Sequence, residues 1–120
     1  MNSMILLIHQ PNFYVRVSMD MKRNHKEKLD YLIQEVARLL DLTPEMIKAK
    51  SRKRELVMAR QFVCYAAYVN GYGSLKFIAN EIGGLHYSTI IHGRDTVKDL
   101  VESKNREFMI VWNACRHLTK

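Results

Sequence analysis

From Lys26 onward apolar residues recur at the three- and four-residue spacing of a helix. Leu29, Leu32, Ile33, Val36, Leu39 and Leu40 share one stripe, with Lys28, Asp30, Glu35 and Arg38 largely opposite. The pattern predicts an amphipathic helix closed by Asp41-Leu42. Thr43-Pro44-Glu45 opens a second, short helix that ends near Ala49, because the threonine oxygen can accept a backbone N–H and proline at the first helical position has no N–H to leave unpaired. Residues 55–69 resume the period through Leu56, Ala59, Phe62, Val63, Ala66 and Ala67. Asn70-Gly71-Tyr72-Gly73 stops it, since glycine readily takes the left-handed conformation of a helix C-terminus. Ser74 caps a short helix over 75–82, and Gly83-Gly84 makes a tight turn. A longer helix over 88–103 then buries Ile90, Gly93, Val97 and Leu100, with Gly93 allowing a neighbouring helix to approach closely. Phe108, Val111, Trp112 and Cys115 mark a terminal helix whose apolar face, the tryptophan included, completes the core.

The first twenty residues follow another rule. They hold two short β-prone runs, one of them Tyr14, Val15, Arg16 and Val17, around the turn-like Gln10-Pro11-Asn12. Two readings stay open: a hairpin, marginal unless it packs on something, or an extension upstream of a start at Met19 or Met21. The chain is therefore divided into an N-terminal extension, residues 1–21, whose structure the sequence leaves open, and one helical domain, residues 22–120.

Composition narrows the class. A chain of 120 residues suits one hydrophobic core, and five glycines and two prolines leave little room for the turns of an all-β fold, so the expectation is an all-α, compact helical bundle. Lys and Arg outnumber Asp and Glu by 19 to 12, a net charge of +7 that favours a polyanionic partner through release of its counterions. Charge does not choose among DNA, RNA and an anionic membrane. No apolar run approaches the roughly 20 residues that span a bilayer, and Met4 to Ile8 lacks a basic leader and a cleavage site, so a cytoplasmic protein without a membrane partner is expected. Cys64 and Cys115 sit inside apolar helical patterns and read as core. His9, His25, His86, His92 and His117 are scattered, with no His-Glu-x-x-His, no Cys-x-x-Cys, no carboxylate cluster and no phosphate-binding loop. No catalytic residue, metal site or cofactor is expected, and the chain does not read as an enzyme.

A short capped helix, a glycine turn and a longer helix with small polar residues in its first turn form the outline of a helix-turn-helix, whose second helix enters the major groove of DNA. Arg52, Lys53 and Arg54 add the phosphate-seeking charge that base reading requires. Ser74 at the cap and Lys76 in the first helix of the motif are placed to touch backbone phosphate. On the longer helix, spacing puts Ser88, His92 and either Asp95 or Thr96 along one side, with Thr89 beside them. For His92 groove contact and half-packed filler both stay open, and Tyr65, Tyr68 and Tyr72 read as packing aromatics rather than a stacking platform for single strands.

The segments SRKRELVMARQ, SLKFIANEIGG and STIIHGRDTV, in this order and spacing, resemble the C-terminal DNA-binding domain of the bacterial replication initiators of the DnaA family, over about residues 26–101. The resemblance implies a bundle similar to the Trp repressor's arrangement of helices, double-stranded DNA as partner, a place on the nucleoid, and a job in replication initiation or its regulation, with replication or regulatory proteins as further partners. It also implies that Arg52 enters the minor groove while Lys53 and Arg54 lie along the flanking phosphates. Arginine suits that role because its flat charged fork fits a narrow groove of strongly negative potential. The family's recognition helix begins Gly-Gly-Arg-Asp-His-Thr-Thr, whereas this chain reads Gly83-Gly84-Leu85-His86-Tyr87-Ser88-Thr89. The hydroxyls stay, and the acid that would accept from a cytosine amino group is gone. In its place Tyr87 can bond or stack against a sugar, His86 can donate to guanine or phosphate, and Ser88 and Thr89 can meet phosphate or a thymine methyl. The alternative implied by these departures is a protein-interaction module that keeps the fold without the family's box recognition. Oligomeric state is left open.

Overall fold

The computed structural model describes residues 13–119, with side chains from Arg23 onward. Six α-helices follow in order among the described residues: α1 (Phe13–Leu39), α2 (Pro44–Lys48), α3 (Arg54–Asn70), α4 (Leu75–Glu81), α5 (Tyr87–Glu102) and α6 (Arg106–Cys115), with a closing 3₁₀ turn over Arg116–Leu118. The all-α expectation holds throughout them.

The helix boundaries follow local chemistry. Thr43 accepts from the Met46 amide at 3.2 Å with Pro44 at the first position of α2, Ser74 accepts from the Phe77 amide at 3.1 Å, and Asn105 accepts from the Phe108 amide at 3.0 Å. Each occupies an N–H that the first helical turn cannot satisfy itself. Gly71 ends α3 in the left-handed conformation, φ 70° and ψ 42°.

α3 is the centre of the bundle. It buries Leu56, Ala59, Phe62, Val63, Cys64, Ala66 and Ala67, and its most extensive contact is with α5. α1 adds Leu29, Leu32, Ile33 and Val36, α2 adds Ile47, and α4 adds Ile78 and Ala79, with Ile82 just beyond it. The α3–α5 approach depends on Gly93, where a Cβ would come within 3.1 Å of the Cβ of Cys64. Small residues on both helices thus set the depth at which α5 lies against the core. Lys26 ties α1 to α4 by donating to Glu81 at 2.9 Å.

Two expectations need correction. α1 begins at Phe13 rather than near Lys26, so the run Tyr14, Val15, Arg16 and Val17 is helical and not one arm of a hairpin. The boundary drawn between residues 21 and 22 falls inside this helix. β-propensity over four residues is a weak, context-dependent preference, and a helix already nucleated by the stripe beyond Lys26 gains a hydrogen bond with each residue it adds. The earlier run, Met4 to Ile8, lies outside the described residues. Trp112 is only half-buried: it packs edge-on against Phe62 and Tyr65, with ring centroids 6.1 and 5.7 Å apart, at the border of the core rather than within it. Cys64 and Cys115 are buried free thiols, as their positions suggested.

Candidate nucleic-acid interface

α4 and α5 form the helix-turn-helix. The turn between them is made by Gly83 and Gly84 at φ 123° and 69°. Such angles favour glycine. At Gly83 space decides as well, because a Cβ there would lie 2.5 Å from the Lys48 carbonyl oxygen at the end of α2. Ser74, Lys76, Phe77, Asn80 and Leu85 surround a cleft beside this turn, with Ser74 and Lys76 exposed.

The recognition helix starts on a histidine. His86 is the N-cap of α5, its Nδ1 accepting from the Ser88 amide at 3.2 Å and lying 2.7 Å from the Ser88 hydroxyl. The ring of Tyr87, itself half exposed, lies against the imidazole with centroids 4.4 Å apart. Sequence reasoning weighed His86 only as a groove contact and missed this cap.

Along α5, Thr89, His92, Gly93 and Thr96 line a depression whose other wall is α3, with Val57, Arg60, Gln61 and Cys64. Thr96 also lines the adjoining depression, where it meets Arg52, Arg54, Val57, Met58, Gln61, Leu100 and Asn105. Thr96 thus lies with Thr89 and His92 along these depressions, which Ser88 does not line, while Asp95 accepts from Arg94 at 2.9 Å. Arg94 in turn donates to the Tyr68 hydroxyl at 3.0 Å and sits 4.9 Å from that ring's centre. The hydrogen bond that Arg94 donates to Asp95 holds the guanidinium above its ordinary value against the opposing effect of burial, with lesser help from the Asp95 charge and the Tyr68 contact. Tyr65 and Tyr72 are half-buried against the core, and Tyr68 is engaged with Arg94. The three tyrosines form no shared stacking surface.

The basic loop precedes α3, with Arg52, Lys53 and Arg54 all exposed. The Lys53 amide donates to the Ser51 hydroxyl at 3.2 Å. Arg54, the first residue of α3, pairs with Glu107 of α6. Part of its charge is therefore already answered within the protein. Arg52 has no such partner among the described residues and opens onto the depression it shares with Thr96.

The residue that holds this loop is Arg60, which sequence reasoning did not single out as a site residue. From the second turn of α3 it donates to three carbonyls in succession along the preceding chain: Ile47 at 2.9 Å, Ala49 at 2.6 Å and Ser51 at 3.3 Å. Carbonyls at the end of α2 have no intrahelical partner, and a guanidinium placed there both satisfies them and meets the negative end of the helix dipole. The available signal was a charged residue inside the Ala-Arg-Gln segment of the most buried helix.

Among the described residues no group of three or more His, Cys, Asp or Glu side chains could hold a metal ion, and no helix is long and apolar enough to cross a membrane.

The family described as bacterial dnaA protein helix-turn-helix matches residues 29–97, more than half of the chain and spanning α1 to α5. The chain belongs to this family. It is similar to the chromosomal replication initiator protein DnaA of Chlorobaculum tepidum, 30% identical over 79 residues, covering 66% of this chain and 16% of that protein. It is also similar to the proteins of that name in Bacteroides fragilis, at 38% over 74 residues, covering 62% and 16%, and in Levilactobacillus brevis, at 34% over 68 residues, covering 57% and 15%. The match spans less than a fifth of the length of these relatives. No solved structure matches the chain.

Proposed function

We propose that this domain binds double-stranded DNA in a sequence-specific way, with the N-terminal turns of α5 in the major groove and Arg52 of the basic loop in the adjacent minor groove. The role is replication initiation or its regulation, on the nucleoid and within the cytoplasm, without catalysis of its own. The observation that carries this reading is the shared depression in which Arg52 meets Thr96, continuous through Gln61 with the one lined by Thr89 and His92. A groove-reading helix and a phosphate-seeking loop that open on one face can engage one duplex together. Lys53, Ser74 and Lys76 supply flanking phosphate contacts in this arrangement, Arg54 shares its charge between Glu107 and the duplex, and His86, Tyr87, Ser88, Thr89 and His92 face the base edges and sugars.

The test is a mobility shift on duplexes recovered from a random pool, run over a range of salt. Affinity should fall steeply as salt rises, and Arg52→Ala should weaken binding roughly tenfold or more while reducing the salt slope by about one. An unchanged shift with Arg52→Ala would remove the minor-groove role. Absence of binding to any duplex would favour the protein-interaction module instead, for which the exposed Tyr87 at the head of α5 is the specific attraction.

A further inference from the structure

Where the end of α1, the start of α3 and the outer side of α6 come together, Leu40, Leu42, Met58, Ile110 and Val111 line a groove of about 390 Å³. That falls within the roughly 300–1,000 Å³ of sites that hold a small guest. Ile110, at 69%, is the most exposed large apolar side chain among the described residues. An aliphatic side chain held in water at an apolar groove leaves free energy for a partner to recover. Arg54, Glu55 and Glu107 complete the lining, one cation against two anions, and Arg54 is already paired with Glu107. A phosphate backbone therefore gains little here, unlike at Arg52. Glu107, Ile110 and Val111 belong to α6, beyond the family's matched residues 29–97.

The chain itself carries a matching guest. Met4-Ile5-Leu6-Leu7-Ile8 is an unbroken apolar run, and residues 1–12 hold no Asp, Glu, Lys or Arg. Its own groove is out of its reach. α1 runs 27 residues from Phe13 to Leu39, about 40 Å at 1.5 Å per residue, and Leu40 stands at the far end. Even fully extended, the chain from Phe13 back to Leu6 covers only about 24 Å. In a second copy lying antiparallel the distances reverse. The head of each α1 then lies beside the tail of the other, and both runs meet both grooves around one two-fold axis. The head of α1 leaves room for this, since Arg23 and Asn24 are exposed. The first described ties of α1 to another helix come after them, His25 against Phe77 with ring centroids 6.4 Å apart and Lys26 to Glu81.

We propose that the groove is the docking site for the Met4–Ile8 segment of a second copy of this chain, making the protein a two-fold dimer that exchanges its N-terminal segments. Each copy gives one run and receives one. This pairing is independent of DNA binding.

The experiment is analytical ultracentrifugation of the full chain, of Ile110→Asp and of Leu6→Asp, with melting curves to verify folding. Ile110 is exposed and Leu6 lies outside the described helices, so both variants should fold. The full chain should sediment as a dimer, and each charge should raise the dissociation constant roughly tenfold or more. Mixing the two variants decides the matter, at a concentration where neither associates alone. The Leu6→Asp copy keeps a sound groove and the Ile110→Asp copy a sound run, so the mixture regains one seat of two and should form dimer. A monomeric parent would overturn the proposal, as would a dimer indifferent to Ile110→Asp. A dimer lost with Ile110→Asp but kept with Leu6→Asp would overturn it too, by giving the groove another occupant. So would a mixture that stays monomeric.

Discussion

The glycine turn of the helix-turn-helix and the basic loop before α3 meet at the same place, the C-terminal end of α2, yet they are held there by opposite means. The turn is shaped by what is missing: Gly83 has no Cβ to strike the Lys48 carbonyl, and its φ of 123° is one that L side chains rarely adopt. The loop is shaped by something added, the fork of Arg60 gripping the carbonyls of Ile47, Ala49 and Ser51. A constraint in the main chain can be read from a dipeptide, whereas a constraint from a side chain thirteen residues away needs the fold. α2, only five residues long, thereby becomes the piece against which both halves of the interface are registered.

That contrast can be broken in three places. Gly83→Ala should have the largest effect, roughly 2–5 kcal/mol of lost stability from strained φ and a forced contact with backbone, seen as a fall in Tm on the order of 10 °C. A melting temperature within a degree or two of the parent would mean that α2 yields easily and registers nothing. Arg60→Lys comes next. It keeps the charge but loses the fork, so stability should drop by about 1–3 kcal/mol and DNA affinity by about tenfold in a titration at fixed salt; if Arg60 acted as a point charge alone, affinity would stay put. The smallest change is Gly84→Asn, expected within about 1 kcal/mol, because asparagine tolerates the left-handed region and a Cβ at Gly84 would meet nothing within 4 Å. A loss as large as that of Gly83→Ala would show that conformation rather than contact dominates at both glycines.

Much of the architecture was legible because each signal was local. The Thr43-Pro44 cap, the Ser74 cap, Gly71 and the double glycine all act within one turn of where they stand, and the apolar stripes of α1, α3 and α5 carry the period of the helix itself. α1 was read too short because residues 13–25 lack that stripe and begin with a run that includes β-branched residues, a local preference that helix continuity overrides. Asp95 and Thr96 could not be separated by spacing, since a side of a helix is defined only once its partner is in place; Thr96 lines the depression against α3 with Thr89 and His92, and Asp95 is bonded to Arg94. Arg60 was passed over because an arginine on an amphipathic helix reads as solvated, and its three acceptors are brought to it by a loop whose path the sequence does not state. The same holds for His86, whose neighbours in sequence suggested a reader of bases, whereas in the fold it caps α5.

The close fit of α3 against α5 has a chemical consequence. Burial pushes the Cys64 thiol up to about 12, and that of Cys115 up to about 11, so neither offers the thiolate that alkylating reagents attack. Cys64 lies directly beneath Gly93, its Sγ 3.8 Å from where a Cβ would stand, and Cys115 is carried by the terminal helix α6. The rate at which each thiol is trapped then reports how often the recognition helix lifts from its bed and how often the last helix undocks. The protein thus carries, without labels, separate probes of the two motions.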